Sequence, residues 1–123
     1  MVLLDTKTVN VATVLEAAVL GVIENIRFWD PVSGTYKTTA PTSVPFGSLI
    51  GVLATMRNTG LQSQKMYMKF TLKRPDGSVK SIFDSVASPN TVAPNGTWDM
   101  GWTDFCDAVG VWTEVIELYG EAA

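Results

Sequence analysis

Three aspartates, Asp99, Asp104 and Asp107, stand close together late in the chain. Carboxylate oxygens offered from one loop are hard ligands and can hold Ca²⁺. Their spacing matches no calcium loop such as the EF-hand, so solvated loop acids and caps are the expected roles. Glu114, Glu117 and Glu121 follow. A pair of carboxylates hydrolyses glycosides when one donates a proton and the other attacks or activates water, but nothing in this spacing marks such a pair. The chain has no His, which removes Ser-His-Asp and Cys-His nucleophile systems, His-containing zinc motifs and the usual near-neutral proton shuttle. Cys106 is the single cysteine, so no disulfide closes within one chain, and a small buried hydrophobe is its expected role. The sequence reads as that of a non-enzyme, with no cofactor and no metal called for.

Aromatic chemistry is the stronger candidate. Tyr67, Trp98 and Trp102, with Trp112 and Tyr119, are the residue types that stack on sugars and anchor protein interfaces. If Trp98 and Trp102 share a strand face, they either fill a core or, with Tyr67, form an exposed platform for a carbohydrate or peptide. Core packing is the expectation.

These side chains must be positioned by a single domain, because the chain has 123 residues. Charged residues make up 17% of it, against about 25% in typical soluble domains. Hydrophobic residues make up 46%. Such a chain buries an unusual share of itself or keeps apolar surface for a neighbour. A net charge of −3 argues against nucleic acid as a partner, since phosphate binders show a basic stripe. The opening MVLLDTKTVN lacks the basic start of a secretory signal. The apolar run Val14–Ile26 is interrupted by Glu16, Glu24 and Asn25, and no membrane insertion is expected.

Residues 1–17 differ from the rest and read as an N-terminal arm, either an extra edge strand or a short helix. Its Val9, Val11, Val14 and Leu15, together with Leu49 and Leu53 on a later strand, are candidate interface residues. From residue 18 to 123 the pattern is that of strands and turns. Leu20–Trp29 ends in Asp30-Pro31 and Ser33-Gly34, and residues 31–45 form a long proline-rich connection. Ser48–Arg57 is apolar on both faces. Lys65–Lys73 alternates Met66, Met68, Phe70 and Leu72 with lysines, Tyr67 and Thr71, which marks a half-buried antiparallel strand. Arg74-Pro75-Asp76-Gly77 turns the chain into Val79–Phe83, and Ala87–Gly96 is a loop. Thr97–Thr103 is a strand that Asp104–Ala108 interrupts, and Gly110–Tyr119 closes the fold. Six or seven short strands between Pro- and Gly-rich turns predict an all-β antiparallel sandwich. The run VLATMRNTG ends its strand at Asn58-Thr59-Gly60, where Asn58 is expected to cap its own backbone and Gly60 to take positive φ.

That run, the alternating strand and the Pro-Asp-Gly turn after it resemble the bacterial and archaeal cell-adhesion-related domains of immunoglobulin-like fold. Further matches are LGVIENI at Leu20–Ile26, VPFG at Val44–Gly47, TVAPNG at Thr91–Gly96 and the closing Gly110–Gly120. The resemblance spans residues 18–120 and implies an immunoglobulin-like β-sandwich in a non-catalytic module of surface or secreted proteins. The arm has no counterpart in that pattern. The expected function is therefore a structural, protein-interacting module that self-associates or joins a larger assembly, such as a virion or cell-surface layer. The alternative is a carbohydrate- or peptide-binding adhesion module.

Overall fold

A computed structural model describes residues 1–12 and 18–123. Residues 1–12 hold no helix or strand, and the first strand begins at Gly21. Eight strands follow among the described residues: β1 (Gly21–Asp30), β2 (Thr35–Lys37), β3 (Leu49–Asn58), β4 (Gln64–Lys73), β5 (Val79–Asp84), β6 (Asn90–Val92), β7 (Thr97–Phe105) and β8 (Thr113–Ala122). They form two antiparallel sheets packed as a β-sandwich. No helix among the described residues is long and apolar enough to cross a membrane.

One sheet runs β2-β1-β3-β7. The other is built on β4, which β8 pairs along its whole length from Gln64 to Lys73. The opposite edge of β4 is shared: β5 pairs Lys69–Lys73 and β6 pairs Gln64–Met66. The period-two pattern of β4 explains its central place. Met66, Met68 and Phe70 are fully buried with Val52, Ala54 and Met56 of β3 across the sandwich. The outward lysines find acids directly opposite on β8, Lys65 facing Glu121 and Lys69 facing Glu117, and opposite charges across a pair favour this register.

Five local expectations need correction. The connection 31–45 contains β2, which closes a short hairpin on Phe28–Asp30, and Ala87–Gly96 contains β6. Both are three-residue strands inside loops, too short to show a period. β7 continues through Asp104 to Phe105, because Leu49 and Ile50 offer a full ladder there. The closing strand begins at Thr113 and runs past Tyr119 to Ala122, three residues later than expected at either end.

The fifth correction concerns Asn58-Thr59-Gly60. Asn58 is fully buried. Its Oδ1 accepts from the Gly60 N–H at 2.8 Å and from Gln64 Nε2. Its Nδ2 donates to the carbonyls of Gln62 and Val92, each at 2.8 Å. The side chain thus caps the turn as expected, but positive φ is found at neither Asn58 nor Gly60. Gly60 is small for lack of room: a Cβ there would lie 3.1 Å from Asn58 Oδ1 and 3.3 Å from the Ala18 carbonyl. In the Pro-Asp-Gly turn the expectation holds. Gly77 has φ +86° and donates to the Arg74 carbonyl at 2.9 Å, and the register shift after Leu72 marks the accompanying bulge.

Candidate functional site

Among the described residues β8 pairs on one side only, with β4. Its other edge leaves a row of backbone donors and acceptors open for a further strand. The inner face of β8 carries Glu114, Ile116 and Leu118, which stand opposite Leu72, Phe70 and Met68 of β4. Beyond them, between β8 and β1, lies a cavity of about 670 Å³. Phe28 and Trp29 of β1, Phe46, Trp112 and Ile116 give it apolar walls.

Glu114 is the one charged side chain lining this cavity. Neither of its carboxylate oxygens reaches solvent or a hydrogen-bond partner. Burial without a compensating donor penalises the charged form and pushes its pKa up to about 8. An acid held this way is costly unless something supplies a cation or an N–H. Trp112 beside it is already engaged, donating from Nε1 to the Ala108 carbonyl at 3.0 Å.

The root of the N-terminal arm sits at the opposite end of β8. Gln64 clamps Leu20, donating from Nε2 to the Leu20 carbonyl and accepting its N–H at Oε1, both at 2.8 Å. A Cβ on Gly120 would lie 3.1 Å from Val19 Cγ1. The buried Asn58–Gln64 pair therefore fixes where the arm leaves the sandwich. Beyond that root Val9 is 73% and Val11 94% exposed, as are Val2, Leu3 and Leu4 to similar degrees. Val14 and Leu15 lie outside the described residues. Leu49 and Leu53, the remaining candidate interface residues, are half-buried on the outward face of β3.

The aromatic candidates occupy different faces. Tyr67 lies on the outer face of β4, stacked on Tyr119 of β8 at 5.1 Å. Trp98 and Trp102 share the other sheet's inward face, opposite Met56 and Val52 in the ladder. Trp102 stacks on Phe83 at 5.0 Å and donates to Ser81 Oγ at 2.9 Å. Trp98, at the sandwich edge, is 51% exposed.

The acids do not converge either. Asp99 accepts from Thr55 Oγ1 at 2.6 Å and pairs with Arg27 on the outer face of the β1-β3-β7 sheet. Those bonds, Thr55 first, hold its carboxyl below the usual range. Asp107 takes both arms of the Arg74 guanidinium, at 3.0 and 2.9 Å. Lys80 lies 4.0 Å from Asp104 and 3.9 Å from Asp107. Two of the three aspartates thus fasten the end of β7 to the β4–β5 hairpin. No group of three or more His, Cys, Asp or Glu among the described residues is placed to hold a metal ion. Cys106 is buried, with its Sγ 3.7 Å from the Pro45 carbonyl.

Sequence reasoning placed Glu114 among three glutamates of a closing strand and missed that it alone faces inward. The signal was present in VWTEVIEL, where Glu114 has the same parity as Trp112, Ile116 and Leu118. Compared with protein-family models and with curated proteins, the chain matches none.

Proposed function

We propose that this chain is a non-catalytic, self-associating structural module, a building block or decoration of a larger protein assembly of the kind found in virions and cell-surface layers. The observation that carries the reading is an excess of uncovered surface. The chain exposes 8274 Å², whereas a compact monomer of 13.3 kDa exposes about 6,500 Å². The surplus on one chain is about twice what each partner contributes to a standard protein–protein interface, about 800 Å². Much of it is apolar: the arm with Val2, Leu3, Leu4, Val9 and Val11, and Val115 and Tyr119 of β8. Low overall charge and the resemblance to adhesion-related modules support the same reading.

The ligand-platform alternative draws less support. Tyr67 and the two tryptophans do not share a surface, and the Trp102 ring is committed to Phe83. Molar mass in solution tests the proposal, measured by light scattering across a wide concentration range. A mass that climbs above 13.3 kDa with concentration is expected; a monomer at every concentration overturns it.

A further inference from the structure

We infer that the free edge of β8 is the docking site for the N-terminal arm of a second copy of this chain, which adds as a strand and sets Lys7 beside Glu114. The inference rests on the self-association proposed above and names the two surfaces that meet.

Four observations converge on this occupant. The edge is ten residues long and open over its whole length among the described residues. The cavity beside it is lined mostly by apolar residues, and its one charged side chain, Glu114, lacks any partner. The arm is apolar, exposed and free of regular structure, so its backbone groups are available to a ladder. The arm also carries Lys7, a cation between Thr6 and Thr8, with Asp5 before them and Val9 after.

Only certain registers satisfy both strands. In a parallel pairing that sets Lys7 next to Glu114, Val9 falls beside Ile116 and Val11 beside Leu118, since same-face residues recur every second position. The inner face then reads cation to carboxylate and aliphatic to aliphatic. Thr6, Thr8 and Asn10 fall on the outward face, level with Thr113, Val115 and Glu117. Main-chain hydrogen bonds along β8 provide affinity, and the Lys7–Glu114 contact provides register, the usual division of labour in strand addition. Shifting the arm by one residue turns Val9 and Val11 outward and leaves Glu114 unpaired. The arm is rooted beside Gly120, outside the cavity, so donating it to a neighbour leaves its own sandwich intact.

The test uses the full chain. Lys7→Glu lies on the exposed arm and leaves the fold undisturbed; it is expected to weaken association at least tenfold by sedimentation velocity. Mixing Lys7→Glu with Glu114→Lys chains is expected to recover association, because the unaltered Lys7 of one chain meets the unaltered Glu114 of the other and the reversed pair forms in the opposite direction. In a Cys106→Ser background, Val9→Cys with Ile116→Cys is expected to form a disulfide between chains under mild oxidation. Assembly that persists in Lys7→Glu with no such disulfide overturns the docking site while leaving self-association standing. A disulfide that closes within a single chain assigns the groove to the chain's own arm and overturns the second-copy occupant. A monomer at every concentration overturns both this inference and the function on which it rests.

Discussion

Asn58 shows how much of this fold one side chain can determine. Its amide makes four hydrogen bonds in a space that excludes solvent, joining the β3–β4 turn to β6 and, through Gln64, to the root of the arm. Truncation would strand several buried partners at once, and each unsatisfied group costs about 1–3 kcal/mol. Asn58→Ala is therefore expected to lower unfolding stability by about 3 kcal/mol in urea denaturation. Asn58→Asp is expected to fare no better, because a carboxylate donates no hydrogen bond and a protonated acid has only one O–H for the two carbonyls of Gln62 and Val92. A loss below about 1 kcal/mol would mean that water replaces the amide. The residue type at this turn was legible because Asn before a Gly is a turn former. The reason for Gly60 was not. It lies in the approach of Ala18 and Gln64, residues distant in the chain or across the turn, which no local pattern reveals.

At the scale of elements, legibility followed the strength of the two-residue period. KMYMKFTLK announces β4 because each inward position is apolar and most outward ones carry Lys, and β4 is the strand that everything in its sheet pairs with. β2 and β6 offer three residues each and exist only because longer neighbours present an edge to them. The end of β7 was hidden by Asp104, which suits a strand there only because Lys80 arrives from the opposite sheet. β8 was legible as a strand but not as a site, since an acid on a core-facing position contradicts the burial rule. That acid makes β8 sensitive to pH. Glu114 titrates near 8 in the folded chain and near 4.5 when exposed. Between those values the folded state binds the extra proton, so stability falls as pH rises through this window. Below it both states are protonated and the penalty vanishes. Glu114→Gln is thus expected to raise the melting temperature of dilute protein clearly above pH 8 and hardly at all near pH 4.5. Equal gains at both pH values would show that packing, not charge, is what the substitution changes.

The molecule as a whole is a sandwich that closes well on one side and poorly on the other. Where β7 meets β5, Trp102 lies on Phe83 and the Arg74–Asp107 and Lys80–Asp104 pairs fasten the sheets. Where β1 meets β8, a cavity remains, and the arm that the same chain carries is left in solvent. If a second copy covers this side, association and folding share one equilibrium, because the partner binds the native state and not the unfolded one. A concentration about a hundredfold above the dissociation constant adds about 2.7 kcal/mol to native-state stability. For a domain of this size that amount corresponds to a rise in melting midpoint of about 10 °C. The midpoint of the wild-type chain should therefore climb with concentration, whereas the Lys7→Glu chain should show a nearly flat dependence. Sulfate screens the Lys7–Glu114 attraction only weakly once it is buried and strengthens apolar burial, so the concentration dependence should persist in sulfate. A midpoint that is independent of concentration in the wild-type chain would mean that the gap between β1 and β8 is left uncovered, and that the surplus surface serves no second copy.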